Sequence, residues 1–201
     1  DCGYGLLKLY PPLQRNYPSK EHELTFAQPG VNENGGVFCH ANTWAIIAEC
    51  MLGNNNEAYK IYRELIPHNI IKKFGVERYN AEPYIYSSNI RAPMALDAGQ
   101  AGVSWLSGTA SWMMIALEEY IFGVKPCYKG LKIMPCIPDE WEKTVIKRRF
   151  RGCEYTIEID NSAACGNTVK EIYLDGKKFD GEYILSSAPS ASVKVIMGTR
   201  N

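Results

Sequence analysis

The chain has 201 residues, 22% of them charged and 46% apolar, with Lys+Arg and Asp+Glu balanced at 22 each. That is ordinary globular composition. It excludes the basic excess that a nucleic-acid partner requires, and no apolar run reaches the roughly 18 residues needed to span a bilayer. Asp1 opens the chain without a Met, so the sequence reads as a piece of a longer polypeptide.

Residues 1–36 are rich in Pro, Gly and Asn and read as long loop. From Asn42 the pattern turns helical. Trp44, Ile47, Ala48 and Met51 fall at i, i+3, i+4 and i+7, which predicts a core-facing stripe ended by Gly53. After the polar "NNNE" turn, Ala58, Tyr59, Tyr62 and Leu65–Ile66 keep helical spacing as far as Pro67, giving an αα-hairpin. Residues 67–104 are again irregular. A third helix is predicted from about Ser107, with Trp112, Ile115, Ala116 and Glu119–Tyr120 on one face and Gly123 as its stop. Beyond "KPCYKG" the period falls to two. "LKIMP", "TVIKRRF", "EYTIEID", "VKEIYLDG", "EYILS" and "SVKVIM" predict a half-buried antiparallel sheet with turns at Asp160–Asn161 and Asp175–Gly176. The fold class expected is α+β, with a boundary near Lys125–Gly130.

Seven cysteines (Cys2, Cys39, Cys50, Cys127, Cys136, Cys153, Cys165) are scattered without a C-x-x-C pair. Zinc-site spacing is therefore absent, and the set reads as reduced thiols of a cytoplasmic protein rather than a disulfide framework.

Three segments could carry chemistry. In "NENGGVFCHANTW", Gly35–Gly36 lets a loop fold tightly, Glu33 precedes the turn, and His40 stands at a helix entrance where an imidazole and free amides can meet an anion. The bland alternatives are an exposed loop carboxylate and a histidine that satisfies a carbonyl. In "VSWLSGTASWMM", Ser107, Gly108 and Thr109 open a helix between two tryptophans, either as an oxyanion cradle or as a plain Ser N-cap. In "AEPYIYSSN", Glu82 and Tyr84 suit a sugar-binding rim; the alternative pairs Glu82 with Arg78 or Arg91. The basic "KRRFR" (147–151) reads as a solvated or interdomain strand face. No P-loop ending occurs.

Taken in order, "ENGGVFCHANTWAIIAE", "AEPYIYSSN", "SWLSGTASW", "IFGVKP", "GLKIMPCIPDEW" and "RRFRGCEY" resemble the C-terminal part of the inverting glycoside phosphorylases of the cellobiose phosphorylase family, glycoside hydrolase family 94. Details around "CHANTW" and "GVERYNAEPY" are similar to its cellobionic acid phosphorylase branch. The resemblance implies the C-terminal segment of an (α/α)6 barrel over 1–126, then an antiparallel β-sandwich over 127–201. It implies cleavage of a β-glucoside, or a glucosyl-aldonate, by inorganic phosphate to give α-glucose 1-phosphate. Phosphate is then a co-substrate, no cofactor is needed, and the working form is a cytoplasmic homodimer.

By the same resemblance His40, Ser107 and Gly108 contact phosphate, while Glu33 contacts the acceptor sugar. Glu82 and Tyr84 are added as rim contacts. The family's general acid Asp and a phosphate-binding Arg belong upstream of Asp1, and none of Asp97, Asp139 or Asp160 sits in the acid's motif. The missing N-terminal part would have to supply them. Ala27 and Asn32 stand where cellobiose-specific members carry Tyr and Lys, which bears on acceptor choice. A hydrolase on the same barrel using Glu33 or Glu82 as base, and a non-catalytic carbohydrate-binding fragment, are the competing readings.

Overall fold

The computed structural model describes residues 1–14 and 27–198, so the part of the predicted N-terminal loop at 15–26 lies outside the described residues. Helices and strands are both present, as α+β requires. The chain divides into two compact units, Asp1–Ile46 with Lys60–Met114, and Ile47–Tyr59 with Ile115–Asn201.

The element order begins with β1 (Val37–Phe38), α1 (Cys39–Leu52), α2 (Asn55–Glu64), α3 (Pro67–Phe74), α4 (Val76–Tyr79) and β2 (Asn89–Ile90). Helix α1 is where it was expected, but its buried face is not. Of the expected stripe Ile47 is buried, but Trp44 is 53% and Met51 75% exposed; Ile46 goes inside instead, beside Asn42 and Thr43. Those two polar residues can go inside because their groups are satisfied. Asn42 Oδ1 accepts from Leu6 N–H at 2.6 Å, its amide donates to the Leu6 and Phe38 carbonyls at 3.0 Å, and Thr43 Oγ1 donates to the His40 carbonyl at 2.6 Å. Counting apolar residues alone rotates the helix the wrong way.

Residues 67–104 hold more order than the sequence suggests. Pro67 ends one helix and starts another, occupying the first position of α3, where its missing N–H costs nothing. Gly75, at φ 87°, turns the chain into the single-turn α4. Strand β2 then pairs antiparallel with β1, Val37 opposite Ile90 and Phe38 opposite Asn89.

Helix α5 (Thr109–Ile115) passes into a π-helical segment (Ala116–Ile121) that ends just before Gly123, φ 64°. A two-stranded hairpin follows, β3 (Val124–Cys127) with β4 (Gly130–Ile133). The remaining strands are β5 (Lys143–Phe150), β6 (Cys153–Asp160), β7 (Val169–Leu174), β8 (Lys177–Lys178) and β9 (Ser190–Met197). They form one sheet in the order β5-β6-β9-β7-β8.

Alternation places Cys153, Tyr155, Ile157 and Ile159 of β6 and Ala191, Val193, Val195 and Met197 of β9 in the core. Two-residue turns at Arg151–Gly152 and Asp175–Gly176 both have positive φ throughout, the type I′ geometry whose twist matches paired strands. The sheet is not purely antiparallel, which corrects the expectation. Strand β9 enters between β6 and β7 and runs parallel to β6, Glu154 opposite Ser190. The β7–β8 hairpin supplies the long excursion that a parallel pair demands. "EYILS" forms only an isolated bridge from Ile184 to Leu131.

All seven cysteines are free thiols, three of them buried. No helix among the described residues is long and apolar enough to cross a membrane.

Candidate active site

Two segments far apart in sequence meet on the backbone of Ser87–Ile90, all within the first unit. On one side β1 pairs with β2, and Cys39 N–H donates to the Ser88 carbonyl at 3.0 Å. On the other, Ser88 N–H donates to the Val103 carbonyl at 2.8 Å, Gly102 N–H to the Asn89 carbonyl at 2.7 Å, and Ser87 bridges Ser104. Both edges of this short stretch are used, so the helix entrance at His40 and the turn before α5 are fixed to one support.

His40 is the second residue of α1. Its ring lies 5.0 Å from Trp44 and 6.0 Å from Trp112, and its Nε2 is buried without a protein hydrogen-bond partner among the described residues. The third neighbour is Gly108. A Cβ there would stand 2.9 Å from His40 Cε1, 3.2 Å from Nδ1 and 3.3 Å from Nε2, so the imidazole packs on a backbone that only glycine leaves open. The structure therefore brings His40 and Gly108 together, with Ser107 next in the chain. An orphaned buried imidazole nitrogen is costly unless something completes it.

Ser107 does serve as a cap: Thr109 N–H donates to Ser107 Oγ at 3.1 Å. The Ser107 and Thr109 hydroxyls are also bonded to each other, and Thr109 Oγ1 reaches the Ser87 carbonyl at 3.3 Å. Thr109 owns one hydroxyl proton. When it points at Ser87, Ser107 must donate to Thr109; when it points at Ser107, the Ser107 proton is free for an anion. The cap and cradle readings are thus two proton arrangements of one chain of hydroxyls. Cys39, beside His40, is no nucleophile, because burial pushes its thiol up to about 12.

The glycine turn is built as the sequence required. Gly35 has φ 83°, and a Cβ on Gly36 would meet the Asn32 backbone oxygen at 2.6 Å. What sequence reasoning missed is Asn34. It is fully buried, accepts from Leu13 N–H at 2.7 Å, and donates to the Leu13 and Ala27 carbonyls at 2.9 Å each. Glu33, next to it, is half-exposed and lies 4.0 Å from Lys8 Nζ, which also sits 4.4 Å above the Phe38 ring. Lys8 carries no sequence signal, since its link to the loop is purely tertiary.

Glu82 pairs with neither arginine; Arg91 takes Asp97 instead. The Glu82 carboxylate accepts from Trp105 Nε1–H at 2.7 Å, and that bond holds its pKa below the ordinary carboxylate value. Tyr84 is 73% exposed. No hydrogen bond, ion pair or ring contact joins Glu33 or Tyr84 to His40, Ser107 or Gly108 among the described residues.

In the second unit, Asp139 accepts from Asn55 and Asn56 side chains at 2.7 Å each, and Asp160 accepts from Ser162 Oγ at 2.6 Å. Those bonds hold both carboxyls below their ordinary value, the wrong direction for a general acid. Arg148 of the basic strand forms an ion pair with Glu118.

Against known proteins, the family described as "Glycosyl hydrolase 94 superfamily, catalytic domain" matches residues 1–123. The chain belongs to this family. It is 36% identical over 184 residues to a solabiose phosphorylase of Paenibacillus borealis, covering 90% of this chain and 23% of that protein. It is 38% identical over 158 residues to an N,N'-diacetylchitobiose phosphorylase of Vibrio proteolyticus, covering 79% and 20%. A cellobionic acid phosphorylase of Neurospora crassa is 25% identical over 159 residues, covering 78% and 20%. The chain spans about a fifth to a quarter of the length of these relatives. All three carry the name of phosphorylases, which does not favour the hydrolase reading.

Proposed function

We propose that this chain supplies the phosphate-holding surface, and part of the sugar-holding surface, of an inverting glycoside phosphorylase. The reaction is attack of inorganic phosphate on the anomeric carbon of a β-glucosidic disaccharide or oligosaccharide, releasing α-glucose 1-phosphate and the acceptor sugar. An inverting hydrolase needs a second carboxylate to activate water. Phosphate is already a nucleophile, so the protein need only hold the dianion in line and protonate the leaving oxygen.

The observation that carries the reading is the His40 Nε2 with no protein partner among the described residues, seated over Gly108, the residue next to Ser107. An oxyanion of phosphate completes that nitrogen as a charge-assisted hydrogen bond and accepts a second from the Ser107 hydroxyl once the Thr109 hydroxyl donates to Ser107. Glu33, with Lys8 as its neighbour, takes acceptor hydroxyls at the glycine turn. Glu82 and Tyr84 belong to the sugar rim, Glu82 through its bond to the Trp105 indole rather than by touching the sugar. The general acid comes from upstream of this chain, a reading supported by the ionised state in which Asp139 and Asp160 are held and by the Arg91 partner of Asp97. Inorganic phosphate is the only co-substrate.

The architecture that goes with this function is the end of an (α/α)6 barrel over 1–126 and a β-sandwich over 127–201. The end of the family match at residue 123, with no helix among the described residues from Val124 on, supports it. The enzyme works as a cytoplasmic homodimer.

The test is phosphorolysis by the intact polypeptide against phosphate concentration. His40→Ala should raise the apparent KM for phosphate by roughly ten-fold or more, as loss of a charge-assisted bond implies. An unchanged phosphate dependence overturns the assignment.

A further inference from the structure

Trp105 combines a left-handed backbone with an exposed aromatic side chain. Its backbone is left-handed, φ 67°, a region that bulky side chains avoid, yet its side chain is not rewarded by burial: the residue is 67% exposed. What holds it is the bond from its indole N–H to Glu82 at 2.7 Å. Ser104, just before it, is tied to Ser87 in the ladder that supports His40.

We propose that Trp105 is a sugar-stacking platform, and that Glu82 is a positioning residue that acts through it. The inference rests on the phosphorylase reading and deepens it by naming the surface that meets a pyranose ring. The indole has a single polar edge, and Glu82 consumes it. What remains facing solvent is the apolar ring, whose negative face attracts the positively polarised C–H bonds along one side of a pyranose. Because the carboxylate fixes the ring's orientation beforehand, little rotamer freedom is lost when the sugar arrives. As a carboxylate Glu82 is charged at neutral pH, and the indole bond favours that charged form. The position also fits: Trp105 stands two residues before Ser107, so a ring stacked there lies on the segment that leads to the phosphate cradle. Left-handed geometry is the feature that turns the side chain outward from a chain otherwise committed to the Ser87–Ser104 ladder.

The experiment uses the intact polypeptide, with cellobiose as probe and N,N'-diacetylchitobiose and solabiose in parallel. Phosphorolysis gives separate KM values for disaccharide and phosphate, and calorimetric titration of the disaccharide without phosphate gives its affinity. Trp105→Ala should weaken the disaccharide by about ten-fold in both readouts, leaving the phosphate KM in place. Trp105→Phe, which keeps a ring without the clamped edge, should recover part of the loss. Glu82→Ala should weaken the disaccharide less than Trp105→Ala, and the double variant should be no worse than Trp105→Ala alone. Glu82→Gln, which retains an acceptor for the indole, should fall between the parent and Glu82→Ala.

An unchanged disaccharide KM in Trp105→Ala overturns the platform, as does a parallel rise in both KM values, which would mark a general structural defect. Additive losses in the double variant overturn the positioning role of Glu82. If the parent shows no phosphorolysis, the functional reading fails on its own, and Trp105-dependent disaccharide binding by calorimetry still decides the platform.

Discussion

A methyl group on Gly108 would lie 2.9 Å from Cε1 of His40, closer than real side-chain carbons come to their neighbours. The backbone of Gly108 is not left-handed, so nothing but this contact demands a glycine. Replacing it with alanine must push the imidazole away, and the ring is held on its other sides by Trp44 and Trp112.

Gly108→Ala is therefore expected to act as a displaced His40. Overpacking of this kind costs about 1–3 kcal/mol. Part should appear as a lower unfolding midpoint and the rest as a higher apparent KM for phosphate. Steady-state phosphorolysis with varied phosphate, alongside a melting curve, separates the two. A variant with normal stability and normal phosphate use would mean that the ring has room the structure does not provide.

Asn34 makes a different prediction, about the loop rather than the anion. Its side chain joins Leu13 and Ala27 to the glycine turn through three hydrogen bonds. Asn34→Ala removes the partner of half-buried backbone groups of Leu13 and Ala27, at a cost on the order of 1–2 kcal/mol. Urea denaturation should register the loss. Acceptor preference, measured in the synthetic direction from glucose 1-phosphate, should relax as Glu33 loses its support.

The Asp139 carboxylate gives a pH signature. Its folded pKa is lowered from 3.8, first by the Asn56 bond and then by Asn55. A depressed carboxylate contributes stability above its unfolded pKa, and that contribution disappears as pH falls through the folded value. The stability gap between the parent and Asp139→Asn should hold steady near neutrality and close on acidification below about pH 4. Denaturation midpoints at several pH values check it; a gap that widens in acid would reverse the sign of the argument.

Much of this molecule is readable along the chain, because local chemistry decides it. Gly35–Gly36, Asp175–Gly176 and the alternating strands β5, β6, β7 and β9 announce themselves by residue type and period. The failures share one cause. Asn42 and Thr43 look like surface residues until their bonding partners at Leu6, Phe38 and His40 are known. Pro67 looks like a stop until the helix after it is seen. The parallel partner of β6 lies some thirty residues downstream of it, at β9, and alternation carries no information on neighbours. In the site, His40, Ser107 and Gly108 could be picked out by type. The seating of the imidazole on Gly108, and the roles of Lys8, Asn34 and the Glu82–Trp105 pair, required long-range contacts.

Because both edges of Ser87–Ile90 are occupied, by the His40 entrance on one side and the 101–104 stretch on the other, no one of these pieces is a free module. Redesign by loop grafting would have to transplant all three together. Amide exchange should show the same fact from another angle, with the Ser88 and Gly102 protons leaving at a common, slow rate.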